Sequence, residues 1–119
     1  MSSTETRELI ARAVERLQQE VPTLKQLKLV VRLELRARGG DAPIWRVAVP
    51  GPDISKDPAG DARVDVSVSR SDFNELATEA GLPEWALAYE RGLVRVSGES
   101  AVMKLLSSVF ERQLARTRS

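Results

Sequence analysis

Apolar and polar positions change period several times along the chain. Residues 4 to 20 repeat at helical spacing, with Leu9, Ile10, Ala13, Val14 and Leu17 on one face and Arg7, Glu8, Arg12, Glu15 and Arg16 mostly elsewhere. Ser2 or Thr4 suits the start of this helix. Val21-Pro22 ends it, because proline disfavours helical geometry in the residue before it. From Leu27 to Ala37 the period falls to two: Leu27, Leu29, Val31, Leu33 and Leu35 point one way, and Lys28, Arg32, Glu34 and Arg36 the other. This is a strand with one wet face, as in antiparallel sheets. Gly39-Gly40-Asp41-Ala42-Pro43 turns the chain, and Trp45, Val47 and Val49 alternate back, which predicts a hairpin.

Residues 50 to 62 are rich in Pro, Gly and Asp, with one short island, Asp53-Ile54-Ser55-Lys56, read as a stub of edge strand. Arg63 to Ser69 is a full strand, with Val64, Val66 and Val68 set against Asp65, Ser67 and Ser69. Ser71-Asp72 starts a helix whose shared face is Phe73, Leu76, Ala77 and Ala80; Gly81 suits its end, and Pro83 fits the first turn of another. That next helix, Pro83 to about Glu90, is apolar almost all round through Trp85, Ala86, Leu87, Ala88 and Tyr89. A helix of this kind must be covered on several sides or touch an apolar ligand. Leu93 to Ser97 is the last strand, and Ser100 is placed to cap a final helix striped with Val102, Leu105, Leu106, Val109, Phe110 and Leu114. The order α, β, β, short β, β, α, α, β, α favours an α+β fold with helices over one sheet face.

Composition narrows the chemistry. At 119 residues the chain is read as one domain, 1-119, long enough to bury roughly two-thirds of its unfolded surface. It has no Cys and no His. That excludes thiol nucleophiles, disulfides, Ser-His-Asp machinery and the imidazole ligands that zinc, copper and non-haem iron usually require. No apolar run or signal-like start suggests insertion or secretion, so the cytoplasm is the expected place. The net charge of +1 argues against a general nucleic-acid binder. The charge is uneven, however. Residues 24 to 40 hold five cations and one acid, residues 100 to 119 four cations and one acid, and residues 51 to 90 three cations and nine acids. Such asymmetry either orients the molecule toward an anionic membrane surface or simply marks the solvated faces of ordinary elements.

From Ala62 to Leu106 the order of parts resembles the sterol carrier protein type 2 family, the non-specific lipid-transfer domains. The residues that carry the likeness are Val64-Asp65-Val66-Ser67-Val68, Ser71-Asp72, Pro83, Gly92, Val94-Arg95-Val96, Gly98-Glu99 and Met103-Lys104-Leu105. A weaker match runs back through the Trp45 and Leu29 strands to the first helix. The segment from Pro83 to Gly92 is longer than the family pattern, and the last Lys-Leu run is shifted. Both departures fall where helices would frame a ligand mouth. Thr117-Arg118-Ser119 is not a Ser-Lys-Leu-type peroxisomal address. The resemblance implies a five-stranded, mainly antiparallel sheet with helices over one face and an apolar cavity between them. It also implies non-catalytic binding and carriage of a fatty acyl, sterol or isoprenoid-type lipid, with no cofactor.

Candidate lipid-binding residues are then Phe73, Leu76, Trp85, Leu87, Tyr89, Val102, Met103, Leu106 and Phe110. Each has an ordinary alternative, since aromatic and Met side chains also fill plain cores. Arg112, Arg116 and Arg118 could meet anionic head groups or merely complement the helix dipole. Two other classes stay open. One is a ligand-free α+β interaction module or accessory subunit of a larger enzyme system. The other is a cone-shaped enzyme of the ketosteroid isomerase type, which would need a carboxylate such as Asp65 or Glu84 deep in the cavity.

Overall fold

The structure is a computed structural model that describes residues 3–26, 28–37, 43–49, 51–79 and 81–118. Its elements follow the order read from the sequence: α1 (Ser3–Glu20), β1 (Leu29–Arg36), β2 (Ile44–Val49), β3 (Asp53–Lys56), β4 (Val64–Ser69), α2 (Arg70–Glu79), α3 (Leu82–Glu90), β5 (Val94–Gly98) and α4 (Ser100–Arg118). A short 3-10 turn, Pro22–Gln26, was not anticipated; it begins at the proline that stops α1. The expected strand residue Leu27 and most of the Gly39 to Pro43 turn lie outside the described residues.

The five strands form one sheet in the order β3-β2-β1-β4-β5. β1 and β2 run antiparallel, from Leu29 opposite Val49 to Glu34 opposite Ile44, as the hairpin reading required. The stub Asp53–Lys56 is a true edge strand on β2. β4 returns past the hairpin and lies parallel to β1, with Val31 opposite Val64 and Leu35 opposite Val68. The crossing segment is held to the sheet by Arg46, whose guanidinium donates to both carboxylate oxygens of Asp61 at 3.1 and 2.8 Å.

Alternation decides what each face does. Leu29, Leu33, Leu35, Trp45, Val47, Val64, Val68 and Val94 are buried on one face, under the helices. The opposite face carries the charged alternates, where Ser67 donates to Glu34 at 3.1 Å. Each fully buried Leu or Val side chain on the helix-covered face contributes about 1.5–3 kcal/mol relative to exposure. α1 turns Ile10 and Ala13 inward, and two polar residues, Thr6 and Gln18, share that buried stripe. Thr6 accepts a hydrogen bond from the Arg70 guanidinium at 2.9 Å, which joins α1 to the start of α2. Phe73 and Ala77 of α2 and Leu82, Trp85, Ala86 and Ala88 of α3 are buried.

α4 is anchored at its first turn. The Glu99 N–H donates to the Arg63 carbonyl at 3.0 Å, and the Arg63 guanidinium returns to the Glu99 carboxylate at 3.0 and 2.7 Å. Gly98 permits this approach, because a Cβ there would sit 2.3 Å from the Arg63 carbonyl oxygen. The Met103 N–H donates to the Glu99 carbonyl at 2.9 Å, so Glu99 takes the capping position and Ser100 is the first helical residue. Among the described residues, no helix is long and apolar enough to cross a membrane.

Candidate functional site

Between the helices and the sheet lies a cavity of about 200 Å³. Its floor is Leu29, Val31 and Leu33 of β1, Val47 and Val49 of β2, Val64 and Val66 of β4, and Val94 and Val96 of β5. Seven of these nine floor residues are valine, and a valine on a pleated strand is too short to reach a helix propped above it. The props are aromatic. Phe73 and Trp85 meet edge to face, with ring centroids 6.2 Å apart at 67°. The roof is completed by Ile10, Ala13, Val14, Leu17 and Gln18 of α1 and by Leu106 of α4.

Among the described residues, no Asp, Glu, Lys or Arg lines this space. Gln18, its polar member, is buried and has an interaction of its own. A site so apolar offers water few of the two to four partners it needs, whereas hydrocarbon gives up no hydrogen bond by entering.

Of the residues singled out from the sequence, Phe73, Trp85 and Leu106 line the cavity. Leu76 and Leu87 line a separate outer groove of about 420 Å³, together with Asp72, Glu75, Glu84, Ala88, Arg91 and Leu93. They face it because the inward faces of α2 and α3 are taken by Phe73 with Ala77 and by Trp85. Tyr89, Val102 and Met103 line neither space; Val102 is buried against Leu29 and Val64 instead. Phe110 belongs to α4, but its side chain lies outside the described residues.

The α1 stripe and the valine floor were the lining residues that the candidate set omitted. Their signal was present in the sequence, since the period of 3.6 in α1 and of two in the strands already marked those residues as inward.

The carboxylates considered for catalysis stand elsewhere. Asp65 is an exposed alternate on the outer sheet face, in register with Arg32 and Ser97. Glu84 is exposed and accepts the Gly81 N–H at 3.0 Å, closing the first turn of α3. The perturbed carboxyls are not among the cavity-lining residues either. Hydrogen bonding from Arg46 holds Asp61 below the usual carboxylate range, and hydrogen bonding from Arg63 does the same for Glu99. Arg112, on the exposed side of α4, donates to the Ser108 hydroxyl at 2.9 Å.

No protein-family model matches the sequence, and no curated protein matches it. Solved structures do match. The chain is similar to palmitated sterol carrier protein 2-like 2 from Aedes aegypti, with 17% identity and a TM-score of 0.58 over 85% of this chain and 93% of that one. It is similar to sterol carrier protein 2 from Yarrowia lipolytica in its apo form, with 20% identity and a TM-score of 0.56 over 83% and 86%. A third likeness is to Aedes aegypti sterol carrier protein 2 in complex with the C16 fatty acid palmitate, with 18% identity and a TM-score of 0.56 over 92% and 96%. The chain therefore has the sterol carrier protein 2 fold, the architecture that the order of its sequence elements resembles.

Proposed function

We propose that this protein binds one apolar lipid of the fatty-acyl type, without covalent chemistry, in the cavity between its helices and its sheet, and carries or presents it. The observation behind the reading is the lining itself: a space roofed by four helices and floored mostly by valines, with no charged residue in its wall among the described residues. An acyl chain moved from water into such a space saves about 25 cal/mol for each Å² of apolar surface covered. Two of the structurally similar proteins hold palmitate, which supports the same ligand class.

The cavity of about 200 Å³ is smaller than the ~300–1,000 Å³ common for ligand pockets. A long acyl chain must therefore spread the lining side chains or lift a helix as it enters. The same small volume is what favours a second reading, an interaction module that holds no ligand. Native mass spectrometry of the purified protein, followed by titration with a fluorescent fatty acid, separates the two. Saturable one-to-one binding supports carriage; no co-purified lipid and no saturable binding supports the module.

A further inference from the structure

Away from the cavity, α2 and α3 contribute to the outer groove of about 420 Å³. Asp72, Glu75 and Leu76 stand three or four residues apart on α2, and Glu84, Leu87 and Arg91 follow at the same spacing along α3 and its C-cap. Each helix thus gives the groove one stripe that mixes apolar and charged side chains. The α3 stripe is roughly 10 Å long, the rise of about two helical turns. Leu93, which also lines the groove, is 42% exposed and is the only exposed large hydrophobic residue among those described. The charges do not neutralise one another: among the described residues no ion pair joins Arg91 to a carboxylate, and neither Asp72 nor Glu75 has an ion-pair partner. Nor do the acids converge. Among the described residues no three of them could together hold a metal ion, so the negative charge is distributed along the groove and not focused at one point.

We propose that this groove docks an amphipathic helix of another protein, one that sets Lys or Arg beside a short apolar stripe. Three acids against one arginine favour a cationic partner and oppose the phosphates of a membrane surface or a nucleic acid. Spaced carboxylates suit spaced cations, which a helix presents at every third or fourth residue. Leu76, Leu87 and Leu93 supply the apolar contact that holds such a helix, while the acids set its approach and register. The contact is small, so the complex is a transient one. None of the groove residues lines the cavity, so docking here stands or falls independently of the lipid reading above.

The probe is a synthetic helix of leucine and lysine with its leucines on one face, titrated into the full chain and followed by fluorescence anisotropy and by NMR of the protein's leucine methyl groups. Saturable one-to-one binding is expected, with shifts at Leu76, Leu87 and Leu93 and an affinity that falls as salt is added. Leu93→Ser is expected to weaken binding about tenfold, and Glu75→Lys about fivefold. Asp65→Lys, the same charge change on the outer sheet face, leaves the affinity as it was, and a peptide with serine in place of leucine does not saturate. No saturable binding, an equal loss in Asp65→Lys, or methyl shifts confined to other leucines overturns the proposal. Two further results overturn it by naming a different occupant. Sedimentation that shows self-association abolished by Leu93→Ser makes the occupant a second copy, and binding to phosphatidylglycerol vesicles abolished by the same change makes the groove a membrane contact.

Discussion

The carboxylate of Glu20, at the end of α1, accepts the backbone N–H of Leu82 at 2.7 Å and so caps a helix that begins 62 residues later. Glu84 takes the adjacent Gly81 N–H at 3.0 Å. Two consecutive N–H groups left open by the helix start are thereby satisfied, and negative charge sits at the positive end of α3. A side chain at position 81 would crowd this arrangement, since a Cβ there would lie 2.8 Å from Glu20 Oε1. The bond ties the helix that supplies most of the cavity roof to the helix that carries Trp85.

Glu20→Ala is expected to lower unfolding stability by about 1 kcal/mol, the usual cost of a lost helix cap. Glu20→Gln retains much of it, because an amide oxygen still accepts. Urea denaturation of the three proteins checks this; an unchanged midpoint in the alanine variant would mean that water replaces the carboxylate at no cost.

Filling the cavity separates ligand space from core. Val66 lines the floor and is only partly buried, so the ring of Val66→Phe has the void to enter. Fatty-acid affinity is expected to fall more than about tenfold, while stability falls by less than the ~1–3 kcal/mol typical of overpacking a filled core. Binding titration and urea melts on the same preparation give both numbers. Retained affinity would place the ligand elsewhere.

Trp85→Ala removes one of the two props. Trp85 is 8% exposed and stacks edge to face on Phe73, so the loss is expected to reach about 3–5 kcal/mol. Lipid affinity is expected to drop with it, because the roof is no longer held off the floor. A large fall in melting temperature with undiminished affinity would make Trp85 a packing residue only.

Acid should weaken two surface ties in a predictable direction. Hydrogen bonds from Arg46 and Arg63 lower the carboxyls of Asp61 and Glu99 in the folded protein. Their stabilisation is therefore complete above the unfolded carboxylate value of about 4 and is lost as pH falls through the lower folded values. Both pairs are solvent-exposed, so the effect is small and screened by salt. Melting temperature measured from about pH 5 to about pH 3 should fall less steeply in Glu99→Gln than in the unmodified protein, and high salt should narrow the difference.

Much of this molecule was legible in its alternations. The inward positions of β1, β2, β4 and β5 could be read directly, and so could the breaks at Pro22, Gly81 and Pro83. The short strand Asp53–Lys56 was visible despite its polar ends. The parallel pairing of β4 with β1 was not legible, because periodicity marks a strand's inward face and says nothing about its neighbour. The cavity wall was read only in part for a related reason. Attention to large side chains selected Tyr89 and Met103, whereas a void is made where side chains are short, as at Val31, Val49 and Val66. The carboxylate link from Glu20 to Leu82 depends on two helices meeting in space, which no local pattern encodes.

The place of Lys56 at the end of the edge strand β3 has a consequence that holds whatever enters the cavity. Lys56 points inward from β3, the outermost strand at one side of the sheet, and that strand is four residues long; at the other side β5 is five residues long and carries Arg95. Short rims bearing charge make poor templates for a further strand. Copies of this protein are thus discouraged from zipping together rim to rim, even at moments when oily surface is uncovered.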